Sequence, residues 1–208
     1  MGKESDYPLS IFDTYYIVDN FYKNPDGVRQ LAISSEKEET TGGNYAGVMT
    51  HNAFLTQEHL DIIGYLVRAK VKPSTQFTGK FRFTKTGEVG TQDIHFDPGD
   101  NDCAWAGVCY LSPDVPDNTE GTVFWRHKQS GLEAIPRDEE GIKPFGDLKK
   151  FLDTDGVDYD KWDRVLTIPY KYNRLVLFRP WLFHSPGTPF GDTIDNCRLI
   201  QTFFLRYD

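Results

Sequence analysis

From residue 77 onward the chain is cut into short β-type runs by Gly, Pro, Asn and Asp, and no stretch is left uninterrupted long enough for an extended helix. The runs fall at 81–84, 93–97, 104–111, 122–126, 164–169, 174–178 and 198–206. Only a polar stretch at 147–152, with Phe151 and Leu152 as its apolar contacts, is compatible with a helix there. Upstream the pattern differs. A short strand at 15–18 leads to Asn24, which can cap a helix whose first position is Pro25 and whose stripe is Val28, Leu31 and Ala32. Thr56 can cap a second helix that carries Leu60, Ile63 and Val67 on one face. The polar segments 34–47 and 131–146 are expected to be loops. Two helices followed by many antiparallel strands predict an α+β fold whose body is a jelly roll or similar double sheet.

With 208 residues and no repeat or linker, residues 1–208 are expected to form a single domain. Fifteen Phe, 11 Tyr and 4 Trp supply enough core material to exclude wholesale disorder. The net charge of −8 sets a phosphate backbone at a disadvantage, so nucleic acid is an unfavoured partner. Cys103, Cys109 and Cys197 are odd in number and lack a CxxC spacing, which argues for reduced thiols. No run has membrane-spanning length, and the first ten residues lack a signal-peptide core and a myristoylation pattern. A soluble, cytoplasmic protein is expected.

The sharpest local feature is His95-Phe96-Asp97. On a strand, side chains two apart share a face, so imidazole and carboxylate converge while Phe96 points away. A second histidine from a distant strand would complete a metal site. His59 falls on the second helix and His51 precedes the β body, whereas His184 follows an apolar run and meets Ser185-Pro186-Gly187, the placement of a ligand at a strand's end. Two histidines and a carboxylate leave open coordination positions, the arrangement of non-heme Fe(II) oxygenases. On the last run, Arg198, Ile200, Thr202 and Phe204 share a face. A buried Arg198 needs an anion, and beside iron the fitting one is the distal carboxylate of 2-oxoglutarate, to which Thr202 can add a hydroxyl. The plainer alternatives are an Asp-Pro-Gly turn at 97–99, and an Arg198 paired at the surface with Asp192 or Asp195. Arg126, His127 and Lys128 read either as a contact for an acidic substrate group or as a solvated basic turn.

His95-Phe96-Asp97, His184 and Arg198 together resemble the 2-oxoglutarate/Fe(II)-dependent dioxygenase superfamily, in its prolyl-hydroxylase-like branch. The resemblance extends to residues 17–26, 109–124 and 173–178, and so over most of the chain. It implies a double-stranded β-helix, a distorted jelly roll with N-terminal helices packed on one sheet. It also implies Fe(II), 2-oxoglutarate and O2 as cofactor and cosubstrates, with His95, Asp97 and His184 as catalytic metal ligands. Tyr110 is implied as a hydroxyl partner of the cosubstrate carboxylate. Hydroxylation with release of succinate and CO2 is the expected reaction, since Asp97 occupies the place that a small residue takes in the halogenating relatives. The longer connection between His184 and Arg198 and the segment 131–159 depart from the family pattern. The expected substrate is a small molecule or an amino-acid side chain, free or in a peptide. A cupin-like isomerase or metal-binding sensor would share the His/Asp/His set without needing Arg198, and a noncatalytic jelly-roll binding domain would need neither.

Overall fold

In the computed structural model the described residues are 14–39, 46–90, 93–97, 102–138, 141–142 and 148–208. The first ten residues and the turn at 98–99 lie outside this set, as does the side chain of Phe151. The chain enters through β1 (Tyr15–Asp19) and α1 (Pro25–Ser34). Asn24 caps α1 by accepting a hydrogen bond from the Gly27 N–H at 3.1 Å. The α1 stripe is narrower than the spacing predicts, because Ala32 is buried while Leu31 stays 44% exposed. Next come β2 (Lys37–Glu39) and β3 (Val48–Thr50), which pair antiparallel. The segment 34–47 was expected to be a loop, and β2 corrects that. Its Lys-Glu-Glu composition hides a strand at the sheet's margin, where charge discourages further pairing.

Helix α2 (Gln57–Val67) opens with a capping box. His59 N–H donates to Thr56 Oγ1, and His59 Nδ1 accepts from the Thr56 N–H at 2.9 Å. That use of its imidazole sets His59 apart from metal binding. Strands β4 (Val71–Pro73), β5 (Phe81–Thr84), β6 (Trp105–Tyr110), β7 (Glu120–His127), β8 (Arg137–Asp138) and β9 (Gly141–Ile142) follow. After α3 (Leu148–Asp155), the chain ends with β10 (Trp162–Pro169), β11 (Arg174–Phe178), β12 (His184–Pro186) and β13 (Arg198–Tyr207). The short β8–β9 hairpin and a bridge from Ala134 to Leu182 put more structure into 131–146 than a loop.

The large antiparallel sheet runs β1-β11-β6-β13-β5-β3-β2, with β4 beside the end of β13; the small one runs β10-β7-β12. Alternation divides the large sheet's residues between two cores. Outward-facing Phe81, Phe83, Leu199 and Phe203 meet Ala32, Ile63 and Val67 of the helices. Inward-facing Tyr110, Val176, Phe178, Ile200 and Phe204 meet Phe124 and Ile168 of the small sheet. The far side of the small sheet carries a third cluster, in which Val123, Trp125 and Phe183 pack with Ile94, Phe96 and Leu152. This is the expected α+β double-stranded β-helix, with the N-terminal helices against one sheet. Covered on both faces, β13 has its first eight residues buried, Arg198 among them. No helix among the described residues is long and apolar enough to cross a membrane.

Candidate metal centre and cosubstrate pocket

The small sheet gains a fourth element through a single bridge, in which His95 and His184 exchange both backbone hydrogen bonds, at 2.9 and 2.8 Å. Residues 93–97 were expected to be a strand; beyond this bridge they bend, and the Asp97 N–H turns to the Pro180 carbonyl at 2.7 Å. Convergence of His95 and Asp97 survives the correction because the bridge itself fixes His95 beside His184. His184 opens β12 instead of ending a strand, with Ser185 and Pro186 paired to Val123 and Thr122.

One ligand atom from each of His95, Asp97 and His184 lies within 4.8 Å of the others. His95 Nδ1 sits 2.9 Å from the Asp93 carbonyl, and His184 Nδ1 sits 2.8 Å from the Leu182 carbonyl. A carbonyl only accepts, so both rings carry their proton on Nδ1 and turn Nε2 into the site, the orientation that metal-binding histidines need. His184 Nε2 is 3.2 Å from Asp97 Oδ2, and His95 Nε2 is 3.8 Å from Asp97 Oδ1. A lone pair facing a carboxylate at that distance requires a cation between them, either a proton or a metal ion. Burial, then the neighbouring His184, pushes the His95 imidazole down to about 4. Burial works to raise Asp97, but His184, His95 and Arg82 together hold its carboxyl below the ordinary value. The site is thus poised with a neutral imidazole and an ionised carboxylate, the forms that bind a divalent metal.

Arg198 is 2% exposed and lines the same cavity as His95, Asp97 and His184. Its Nη2 donates to the Gly121 carbonyl at 2.9 Å, while its Nε has no acceptor. Among the described residues it makes no ion pair. The surface pairing with Asp192 or Asp195 does not form: both aspartates are exposed and Asp192 accepts from the Asn196 side chain, whereas Arg198 is buried. The buried guanidinium is supported by one carbonyl and lies near two tyrosine rings, at 5.9 and 5.7 Å, and a cation in such surroundings is suited to receive an anion. Arg126 and Lys171 are paired elsewhere, with Glu133 and Asp19.

The remaining sequence candidates differ. The Tyr110 hydroxyl is bonded to Thr122 Oγ1 at 2.7 Å, and it is Thr122, not Tyr110, that lines the cavity. Thr202 does line it, yet its hydroxyl donates to the Phe77 carbonyl at 2.7 Å, which uses its only proton. His127 is buried between Ser130 at 2.9 Å and Asp155 at 3.2 Å, away from the cavity. Thr122 and Arg82 are among the lining residues that escaped the sequence reading. Arg82 had a signal: it lies between Phe81 and Phe83, so burying those two on the helix side turns Arg82 inward. A cleft of about 630 Å³, lined by Trp125, Tyr159, Arg164 and Glu88 among others, adjoins this cavity and shares Arg82, Ser185, Pro186 and Arg198 with it.

Residues 12–199 match the model of DUF6445, described as a family of unknown function. No curated protein matches the sequence. Among solved structures, the chain is similar to a Pseudomonas putida prolyl-4-hydroxylase at 15% identity and TM-score 0.51, covering 96% of each chain. It is similar at 16% identity and TM-score 0.51 to SnoN, a non-heme alpha-ketoglutarate-dependent epimerase of nogalamycin biosynthesis, covering 94% of this chain and 79% of that one. HygX of Streptomyces hygroscopicus, solved with nickel, 2-oxoglutarate and hygromycin B, matches at 11% identity and TM-score 0.50, covering 100% and 88%. At these identities the likeness establishes the fold, which is that of the 2-oxoglutarate/Fe(II)-dependent oxygenases with prolyl hydroxylases among them.

Proposed function

The chain belongs to the DUF6445 family, and we propose that it is a single-domain Fe(II)- and 2-oxoglutarate-dependent oxygenase that hydroxylates a small molecule or an amino-acid side chain. The observation that carries the reading is the pairing of two features in one cavity: a His95/Asp97/His184 triangle with both Nε2 atoms turned inward, and a buried Arg198 without an ion pair among the described residues. The fold's other metal-binding uses require the first feature only. A noncatalytic binding domain requires neither.

His95, Asp97 and His184 would hold the iron. When bound, iron and 2-oxoglutarate supply the oxidising chemistry, with O2 consumed and succinate and CO2 released. The chain's own residues do the rest. The Asp93 and Leu182 carbonyls fix the imidazole tautomers, so the ligand lone pairs point into the site before metal arrives. Arg198 would receive the distal carboxylate of 2-oxoglutarate with Nε and its remaining N–H groups, in a fork whose other side is already held by Gly121. Val108, Phe178, Ile200 and Phe204 wall the cavity with apolar surface and keep bulk water from the reacting centre. Asp97 would serve as a metal ligand where halogenation would need a halide, which supports hydroxylation over halogenation.

The test is anaerobic reconstitution with Fe(II), then addition of O2 and 2-oxoglutarate with a substrate panel, reading succinate and a one-oxygen mass gain. His95→Ala and Asp97→Ala should lose metal and turnover together. Metal binding without any 2-oxoglutarate turnover would instead support the cupin-like reading.

A further inference from the structure

His127 ends β7 outside the metal cavity, yet its side chain is only 3% exposed. Its Nδ1 accepts from the Ser130 N–H at 3.3 Å, which puts the ring proton on Nε2 and directs it at Asp155 Oδ2, 3.2 Å away. Trp162 lies opposite His127 in the β7–β10 ladder, and its indole N–H donates to the Asp155 carbonyl at 2.7 Å. Lys161 takes the other carboxylate oxygen. One ladder pair of the small sheet thus grips the last residue of α3 by side chain and backbone alike.

What that grip holds is the approach to a metal ligand. Gly156, next in the chain, accepts from the Ile94 N–H at 2.8 Å. It lies so close that a Cβ there would come 2.5 Å from the Ile94 carbonyl. Ile94 is fully buried in one cluster with Leu152, and His95 follows it. The segment 93–97 has little ladder of its own: His95 bridges to His184, the Asp97 N–H turns to Pro180, and Gly156 supplies the anchor before them. Strand β7 also pairs Phe124 with His184, so it sets one histidine directly and reaches the other through Asp155 and Gly156.

We propose that His127 is a positioning residue for the metal centre: its Nε2 proton locks Asp155, and the Gly156 carbonyl then fixes Ile94 and with it the direction of His95. The inference rests on the reading of His95, Asp97 and His184 as metal ligands. Affinity for a metal depends on how nearly its ligands stand in place beforehand, and a ligand whose outer support is loosened must be ordered each time metal binds. The segment 131–159, which departs from the family pattern, acquires a task at its C-terminal end.

The experiment titrates the full, metal-free chain anaerobically with Co(II), reading metal bound per chain and the visible absorption of the bound ion, with thermal unfolding of each metal-free protein alongside. His127→Phe should weaken Co(II) by about ten-fold, the low end for loss of an outer partner, and shift the absorption bands. His127→Gln keeps an N–H for Asp155 and should recover most of the affinity and the wild-type spectrum. Thr50→Val removes a buried hydroxyl bonded to the Asn52 carbonyl and the Phe81 N–H on the large sheet; it should lower Tm and leave Co(II) binding unchanged. Should His127→Phe not fold, Gly156→Ala presses a methyl directly on Ile94 and should weaken Co(II) in the same way. Wild-type affinity and spectrum in folded His127→Phe or Gly156→Ala, no recovery in His127→Gln, or an equal loss of Co(II) in Thr50→Val would each overturn the assignment. A wild-type chain that binds no Co(II) would instead bring down the metal reading itself, so the two failures are separable.

Discussion

Replacing Arg198 by Met should change stability in opposite senses with and without cosubstrate. In the free protein the side chain is 2% exposed, has one carbonyl partner, and is pushed below its ordinary pKa by burial. Removing it forfeits a charge-assisted hydrogen bond of about 1.5–3 kcal/mol. It also relieves a desolvation penalty of several kcal/mol for a cation without an ion-pair partner. The Gly121 carbonyl is not orphaned, because it also accepts from the Gly187 N–H at 2.8 Å. Met fills most of the vacated space with apolar atoms. The net expected change is between zero and roughly 2 kcal/mol of stabilisation. With 2-oxoglutarate at a hundred times its Kd, the wild-type protein gains about 2.7 kcal/mol, roughly 5–11 °C in Tm for a chain of this size. The variant should gain almost nothing. Thermal unfolding of both proteins, loaded anaerobically with Mn(II) and scanned with and without 2-oxoglutarate, reads all four values. A variant that is much less stable than wild type yet keeps the cosubstrate shift would refute the reasoning, since Arg198 would then be a structural cation.

Further outcomes follow from the same contacts. Arg174, then Lys171, holds the Asp19 carboxyl well below the usual carboxylate range and ties β1 to the turn before β11. A folded-state pKa depressed in this way stabilises above the unfolded value of about 3.9 and ceases to do so as pH falls towards the folded value. Asp19 is 35% exposed, so solvent screening limits the effect to about 1 kcal/mol or less. Urea midpoints of wild type and Asp19→Asn should differ at pH 7 and converge below pH ~4; a gap that widened in acid would contradict this assignment. Tyr110→Phe breaks the bond to Thr122 and should cost about 1 kcal/mol in a denaturant titration, with less effect on 2-oxoglutarate affinity than loss of Arg198. A Cβ on Gly187 would run into the Glu120 carbonyl, so Gly187→Ala should lower stability by ~1–3 kcal/mol, and an unchanged Tm would show the two strands can part freely.

Much of this site could be read before the fold was known, because metal chemistry restricts side-chain types and strand alternation restricts spacing. His95, Asp97, His184 and Arg198 are legible on those grounds. The strand proposed for 93–97 fails in its hydrogen bonding, yet the bridge at His95 delivers the same convergence. Thr202 shows the limit of a face-sharing argument, and Tyr110 that of a family resemblance. Both face inward as alternation requires, but where each hydroxyl proton goes depends on Thr122 and on the Phe77 carbonyl, which belong to other segments. Strand β2 was hidden by its charges, and Leu31 was overvalued because a helical stripe specifies a face but not how much of it the sheet will cover. Arg82 is instructive in the other direction. An arginine between two phenylalanines on a short strand is marked by the burial of its neighbours, and the pattern Phe-Arg-Phe was there to be used.

The most direct test is an anaerobic titration of the metal-free protein with Fe(II), followed by 2-oxoglutarate, with the bound iron counted per chain. The expected result is one iron in the wild type, none held by His95→Ala or His184→Ala, and a 2-oxoglutarate affinity that appears only after iron and collapses in Arg198→Met. Iron retained equally by the histidine variants, or 2-oxoglutarate bound as well without iron, would contradict the assignment of this cavity.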